Sequence, residues 1–414
     1  MGRRLDSSRR LLFVGVVAAV VAIVPAMFAT SGRAATTLTN WTAPFFNFGN
    51  TAYNPNETML GASNVANLTQ HSSYLYPSGA LGLSNILSVG TTIYSEYDTK
   101  DQSGQYFEHV TAIKPATGKV RWTSSSPVAT NIDYPDVGQP GPIAIKSGVI
   151  YASAYDHLDA ISASTGAILW SYTPQAPQQS GDLALQAVAN GTVYIRDGSA
   201  NHQIEALNAT SGALLWTYET PENIQNAAYA GGVIYVGSGD GNVYAVNTAT
   251  HTTKWVRYGL GVPFVAFANG TVYELALTGL GQQPGELDAL KPFNGHLIWT
   301  RGVSDSYLAP MIVGGGYVFV TDGNQLEAFN LANTGIEQWY DYGQNPGNCR
   351  MVAANGVIYC ADPYDNLVAY NATTGQLLWT LNLPGGIKTA PIVVNGCLWV
   401  ATTQSGRDQL LSYC

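Results

Sequence analysis

From residue 84 to the end of the chain, apolar and polar positions alternate in short runs broken by turn residues. One such run-turn-run unit is Leu367–Trp379, LVAYNATTGQLLW, where an apolar alternation meets Asn-Ala-Thr-Thr-Gly and resumes as Gln-Leu-Leu-Trp. Period-two alternation rich in β-formers predicts strands, and the Gly supplies the positive φ that a tight turn needs. Upstream lies a second pattern, an Asn-Gly or Gly-Gly pair between apolar runs, as in NGTVYIR (Asn190–Arg196) and NGVIYCA (Asn355–Ala361). This is the strongest short-range hairpin signal.

Both patterns recur. The Trp unit appears seven times and ends at Trp122, Trp170, Trp216, Trp255, Trp299, Trp339 and Trp379. In every copy an Ala opens the unit, and a turn Gly precedes the Trp in all but one, where His251 replaces it. Spacings of roughly 40–48 residues are too short for a domain and fit one four-stranded propeller blade. The small Ala leaves room for a ring from the neighbouring strand or blade, so one buried Trp per blade reads as a structural staple. The hairpin appears eight times, beginning with GTTIYSE (Gly90–Glu96). The last Trp unit is therefore missing, and Gln409–Cys414 reads as a third strand without a fourth. The segment Asn64–Tyr76 supplies that strand and closes the ring, which removes the free sheet edges of a linear array. The expected architecture is all-β, a single eight-bladed propeller of four-stranded antiparallel blades closed by an N-terminal strand.

The A-x-x-x-x-x-G-x-x-x-W unit resembles the pyrroloquinoline-quinone-like repeat. That repeat builds the propellers of quinoprotein alcohol dehydrogenases and the non-enzymatic propeller lipoprotein of the bacterial outer-membrane assembly machinery. Trp41–Pro55, WTAPFFNFGNTAYNP, is similar to the lead-in segment of such proteins. The resemblance spans roughly residues 40–414. The family's Asp two residues after the Ala is replaced by Lys114, Ser162, Asn208, Asn247, Lys291, Asn330 and Asn371. The dehydrogenases use a vicinal disulfide, a Trp platform, calcium ligands and an Asp base. This chain has no Cys-Cys pair, and no residue matches a catalytic role. The resemblance thus implies a binding or scaffold propeller with no cofactor. The alternatives are a quinoprotein dehydrogenase holding pyrroloquinoline quinone with calcium, and a carbohydrate binder.

Before the repeats, a basic stretch (residues 1–10) leads into an uncharged apolar run (residues 11–29) and small residues to Ala35. This reads as a cleaved export signal or an N-terminal membrane anchor, and Ser8–Phe13 resembles a twin-arginine signal. The expected division is 1–35 signal or anchor, 36–83 lead-in segment and closing strand, and 84–414 propeller. The protein is expected to be exported and monomeric. Charged residues make up only 11% of the chain. Removing residues 1–35 takes away five Arg and one Asp, moving the net charge from −9 to −13. That excludes the basic face that nucleic acid needs. A protein partner or a small ligand at one propeller face is the expectation.

All four cysteines lie in the last two hairpins. Cys397 faces Cys414, and Cys349 nearly faces Cys360. In an exported chain this predicts two local disulfides, with four free thiols as the alternative. Two stretches exceed the repeat, Tyr94–Tyr106 and Ala129–Gly141. Insertions in repeat proteins gather on a binding face. Tyr97, Asp98, Asp101, Tyr106, Asp133, Tyr134 and Asp136 are therefore the candidate ligand-loop residues, against a reading as solvated loop. The acidic turns near Asp156, Asp240, Asp322 and Asp362 read as hairpin turns rather than calcium loops. The six His are scattered, and no Ser-His-Asp pattern emerges from the sequence.

Overall fold

The computed structural model describes residues 38–414 apart from 84, 127–140, 155, 175–182, 199–201, 260, 278–284, 304–310, 322–324, 343–348, 363 and 384. Eight antiparallel sheets follow one another along the chain. Blade two shows the plan: Ile143–Lys146, Val149–Ser153, Leu158–Ser162 and Ile168–Tyr172, each strand paired to the next. Blade one uses Leu87–Val89, Thr92–Lys100, Tyr106–Lys114 and Lys119–Ser125, with Ala80–Leu83 added beside Thr92–Lys100. The innermost strands of successive blades lie side by side, and their apolar faces form the core between blades. This is an eight-bladed propeller with almost no helix.

The ring closes in blade eight. Gln70–Leu75 runs antiparallel to Arg407–Tyr413, outside Cys397–Gln404. Thr69 and Cys414 exchange backbone hydrogen bonds of 3.2 and 3.0 Å. Disulfides join Cys397 to Cys414 and Cys349 to Cys360. Cross-linking a short loop restricts the unfolded chain by about 3 kcal/mol. Cys397→Ser with Cys414→Ser should therefore lower stability by about that amount, read as a drop in the urea midpoint under non-reducing conditions.

The Trp unit works across two interfaces. Within a blade, the Ala sits directly opposite the Trp, as in Ala160↔Trp170 and Ala206↔Trp216. On its other side it faces a second-strand aromatic, Tyr151 and Tyr194 in these cases. Because Ala is small, the Tyr and Trp rings lean together over it, with centroids 5.9 and 5.8 Å apart. Between blades, the indole reaches the turn of the next copy. Trp122, Trp170, Trp255 and Trp339 donate Nε1–H to the carbonyls of Ala163, Ala209, Pro292 and Ala372 at 2.9–3.2 Å. The rings are not uniformly buried. All seven lie on the outer strand of a blade, yet Trp255 is 8% exposed while the other six are half-buried. Where the family's Asp is missing, Asn208, Asn247 and Asn371 each accept two backbone N–H bonds from the turn that follows, and Asn330 accepts one. A carboxamide oxygen serves there as well as a carboxylate.

Candidate functional site

The lead-in segment threads the inner ring. Trp41 exchanges backbone hydrogen bonds with Ser88 of blade one at 2.8 and 2.9 Å. The carbonyls of Thr42, Phe48, Gly49, Thr51 and Ala52 then accept the N–H of Ile145, Tyr229, Phe267, Val313 and Ala353 at 2.6–2.9 Å. These donors sit in blades two, four, five, six and seven, each two residues before its hairpin turn. In blade eight, Asn54 donates to the Val393 carbonyl at 2.8 Å and Glu57 accepts the Gly396 N–H at 3.1 Å. Tyr53–Asn54 pairs in parallel with Ala353 and Ala354. One strand-like segment thus satisfies inward-facing backbone groups that a twisted, splayed ring leaves open. It also floors the channel on the side of the first hairpins.

Above this floor lies a cavity of about 270 Å³ lined by Phe45, Phe48, Phe264, Gln186, Asn226 and Arg196 among others. Two of its carboxamides join neighbouring blades. Gln186 accepts the Ala227 N–H at 2.7 Å, and Asn226 bonds both the N–H and the carbonyl of Val265 at 2.9 Å. Arg196 donates Nη1 to the carbonyls of Ile224 and Gln225 at 2.9 Å. Among the described residues no carboxylate lines this cavity. A calcium-bound quinone needs hard anionic oxygen donors, so the residues present do not fit that group.

Of the candidate ligand-loop residues, Asp133, Tyr134 and Asp136 lie outside the described residues, as does Asp322. The others do not form a loop. Tyr97, Asp98 and Tyr106 belong to long blade-one strands, and only 101–105 turns between them. The polar residues here resemble loop composition, yet they face their own sheet and the next blade. Tyr97 is buried and stacks on His109 at 5.0 Å. Asp101 stands in the turn and accepts the N–H groups of Ser103 and Gln105 at 2.8 and 2.9 Å. Lys100 lies over the Tyr106 ring at 4.8 Å. Asp240 and Asp362 likewise accept N–H bonds within their own turns.

Asp98 instead joins a cluster that sequence reasoning missed. Glu96, Asp98 and Glu108 from blade one face Asp156, His157 and Asp159 from blade two. His157 and Asp159 are fully buried. His157 Nδ1 lies 2.8 Å from Asp156 Oδ1, and Nε2 lies 2.8 Å from Ser126 Oγ and 3.9 Å from Asp159 Oδ2. The structure therefore brings together the Ser-His-Asp connectivity that the sequence did not reveal. Its electrostatics differ from those of a hydrolytic triad. Burial alone would push the imidazole pKa down, but the Asp156 hydrogen bond and the charges of Glu108, Asp159 and Asp156 outweigh it and hold it above its usual value. An imidazolium donates both protons and cannot deprotonate Ser126. A signal was present in the sequence. An acid directly precedes the repeat Ala at Asp159, Glu205, Asp288 and Glu327, in strands otherwise apolar.

A continuous propeller, a threaded inner ring and blade-to-blade Trp docking define a class of repeat propeller, and comparison with known proteins gives the family. The profile of the family described as "Outer membrane protein assembly factor BamB" matches residues 106–257, 259–351 and 344–413. The chain belongs to this family of pyrroloquinoline-quinone-like propellers. It is 26% identical over 330 residues to "Tetrathionate hydrolase" of Acidithiobacillus ferrooxidans, covering 64% of this chain and 62% of that one. It is 30% identical over 166 residues to "Outer membrane protein assembly factor BamB" of Burkholderia pseudomallei, covering 38% of this chain and 42% of that one. The chain thus spans less than two thirds of either curated relative. Among solved structures, a "Europium-containing methanol dehydrogenase" shares the fold with a TM-score of 0.69 at 14% identity, over 91% of this chain and 98% of that one.

Proposed function

We propose that the protein is an exported, non-catalytic propeller that presents one face to a protein partner as a rigid binding or scaffold module. The observation that carries this reading is the threaded inner ring. The lead-in segment and two carboxamides of the central cavity are engaged in holding blades together, so the channel acts as a brace. Membership of the BamB family and two disulfides near the C-terminus support an extracytoplasmic scaffold. The face opposite the floor carries the second-to-third-strand turns 101–105 and 239–242 among the described residues.

The experiment is a fluorescence titration of the full chain with pyrroloquinoline quinone and calcium, run beside cross-linking in the native envelope. The expected result is no saturable quench of the Trp signal and a recovered protein partner. A stoichiometric quench with dye reduction would replace the scaffold reading with a dehydrogenase. A second reading, hydrolysis, rests on the wider coverage of the tetrathionate hydrolase, since His157 is held in the form that cannot deprotonate Ser126. Steady tetrathionate levels on incubation with the protein would exclude that substrate.

A further inference from the structure

Eleven carboxyl side chains are buried among the described residues: Glu57, Glu96, Glu108, Asp159, Asp197, Glu205, Glu274, Asp288, Glu327, Asp362 and Asp408. The same set of residues contains one buried cationic group, His157. Five of the acids accept a bond from a residue close in sequence, and among them Glu205 and Glu327 accept Nε2–H of Gln203 and Gln325 at 3.0 and 3.1 Å. Glu57 and Asp362 accept backbone N–H bonds, and Asp408 accepts the Thr403 hydroxyl. The rest concentrate at the joints between blades, and the densest group is at the seam between blades one and two.

At that seam five carboxyls face one imidazole. Glu96 and Asp98 come from the second strand of blade one, Glu108 from its third, and Asp156 and Asp159 from blade two. Glu108 and Asp98 are direct cross-strand partners. Glu96 stands beside Glu108 on the same face of the sheet. Among the described residues both oxygens of Asp159 are without hydrogen-bond partners, and His157 Nε2 lies 3.9 Å away. His109, in the same sheet, is turned away towards Thr99 and Ser125. Full ionisation would leave several like charges in a dry joint against a single imidazolium.

We propose that this seam is a proton-locked joint, closed while its carboxyls carry protons in acidic surroundings and loosened as the medium turns alkaline.

The titration directions agree with the geometry. Burial pushes Asp98 up to about 7, against the lowering charge of His157. Burial likewise holds Glu108 well above the carboxylate range. A carboxyl raised in the folded state favours folding while protonated, and that contribution is lost as pH climbs from the ordinary carboxylate value through the folded one. His157, raised above its ordinary value, contributes below that value and loses its contribution as pH rises through the folded one. Both act in the same direction between about pH 4 and 8. Other seams repeat the arrangement in weaker form. Burial lifts Glu205 to about 7 beside Tyr172 of the preceding blade. It lifts Glu274 to about 8, opposite Asp288 and held by Arg257.

The test is thermal unfolding of the full chain from pH 4 to 9, with hydrogen exchange resolved by segment. The midpoint should fall by about 5 °C or more between pH 5 and 8. Exchange should rise first in 92–100, 106–114 and 158–162, ahead of 224–238 in blade four. Glu108→Gln fixes the neutral form, so it should flatten the pH dependence and protect the seam at pH 8. If that variant does not fold, the wild-type exchange order decides. A midpoint that is flat or rises from pH 5 to 8, or exchange that starts away from this seam, overturns the proposal.

Discussion

Trp41→Ala should lower the stability of the ring by about 4 kcal/mol, one of the two largest single-residue effects expected in this chain. The indole is fully buried, meets Phe46 edge-on at 5.2 Å, and belongs to the core cluster that includes Ile86 and Leu87. Its backbone pairs with Ser88, the first of the contacts that thread the lead-in segment round the ring. Truncation leaves a cavity where that thread begins, and the surrounding strands cannot collapse into it without breaking their own ladders. The lead-in segment should then fray, so limited proteolysis should cut between residues 38 and 57 before any blade. Trp41→Phe should cost far less, because the indole N–H has no acceptor among the described residues and its loss removes an unsatisfied donor. Comparing thermal midpoints of the two variants separates volume from hydrogen bonding.

The blades and the closing strand were legible because they depend on local periodicity. A period-two run with Asn-Gly at its end states its own hairpin, and seven registered Trp show that the hairpins belong to one ring. Pairing of Gln70–Leu75 with the C-terminal strand followed from counting alone. The candidate site was less legible for two physical reasons. Tyr97 and Asp98 are polar residues within strands, and a composition rule reads such residues as loop until the next blade is present to cover them. The seam cluster joins residues 30 to 60 positions apart in different blades, so no local window contains it. The acid before the repeat Ala was visible, but its meaning depends on what the neighbouring blade places opposite. Arg257 meets Asp288, and Tyr172 meets Glu205. The role of Trp41 was hidden for the same reason, since its lead-in segment matches no repeat and becomes a brace only when eight inner strands surround it.

Gly212→Val should destabilise the protein by about 3 kcal/mol, and the contrast with His251 explains why. Gly212 has φ +72°, and a Cβ placed there would lie 2.6 Å from Cε3 of Trp170. The flat face of the indole is therefore seated against the bare glycine. Gly166, Gly295, Gly335 and Gly375 stand in the same relation to Trp122, Trp255, Trp299 and Trp339. Valine at this position meets two penalties, a left-handed backbone that a β-branched residue resists and a displaced Trp that loses its bond to the Ala209 carbonyl. Blade four has already exchanged its glycine. His251 holds φ +59° and stacks its ring on Trp216 with centroids 4.7 Å apart and planes 22° from parallel. A flat ring can replace the missing contact where a branched side chain cannot. His251→Gly should therefore lie within about 1 kcal/mol of wild type, because the strain it relieves offsets the stacking it removes. Thermal midpoints of the two single variants test this directly. A loss for His251→Gly as large as that for Gly212→Val would mean that the ring contact on the indole outweighs the backbone strain, and a clear gain would mean that the turn glycine is selected for its backbone alone.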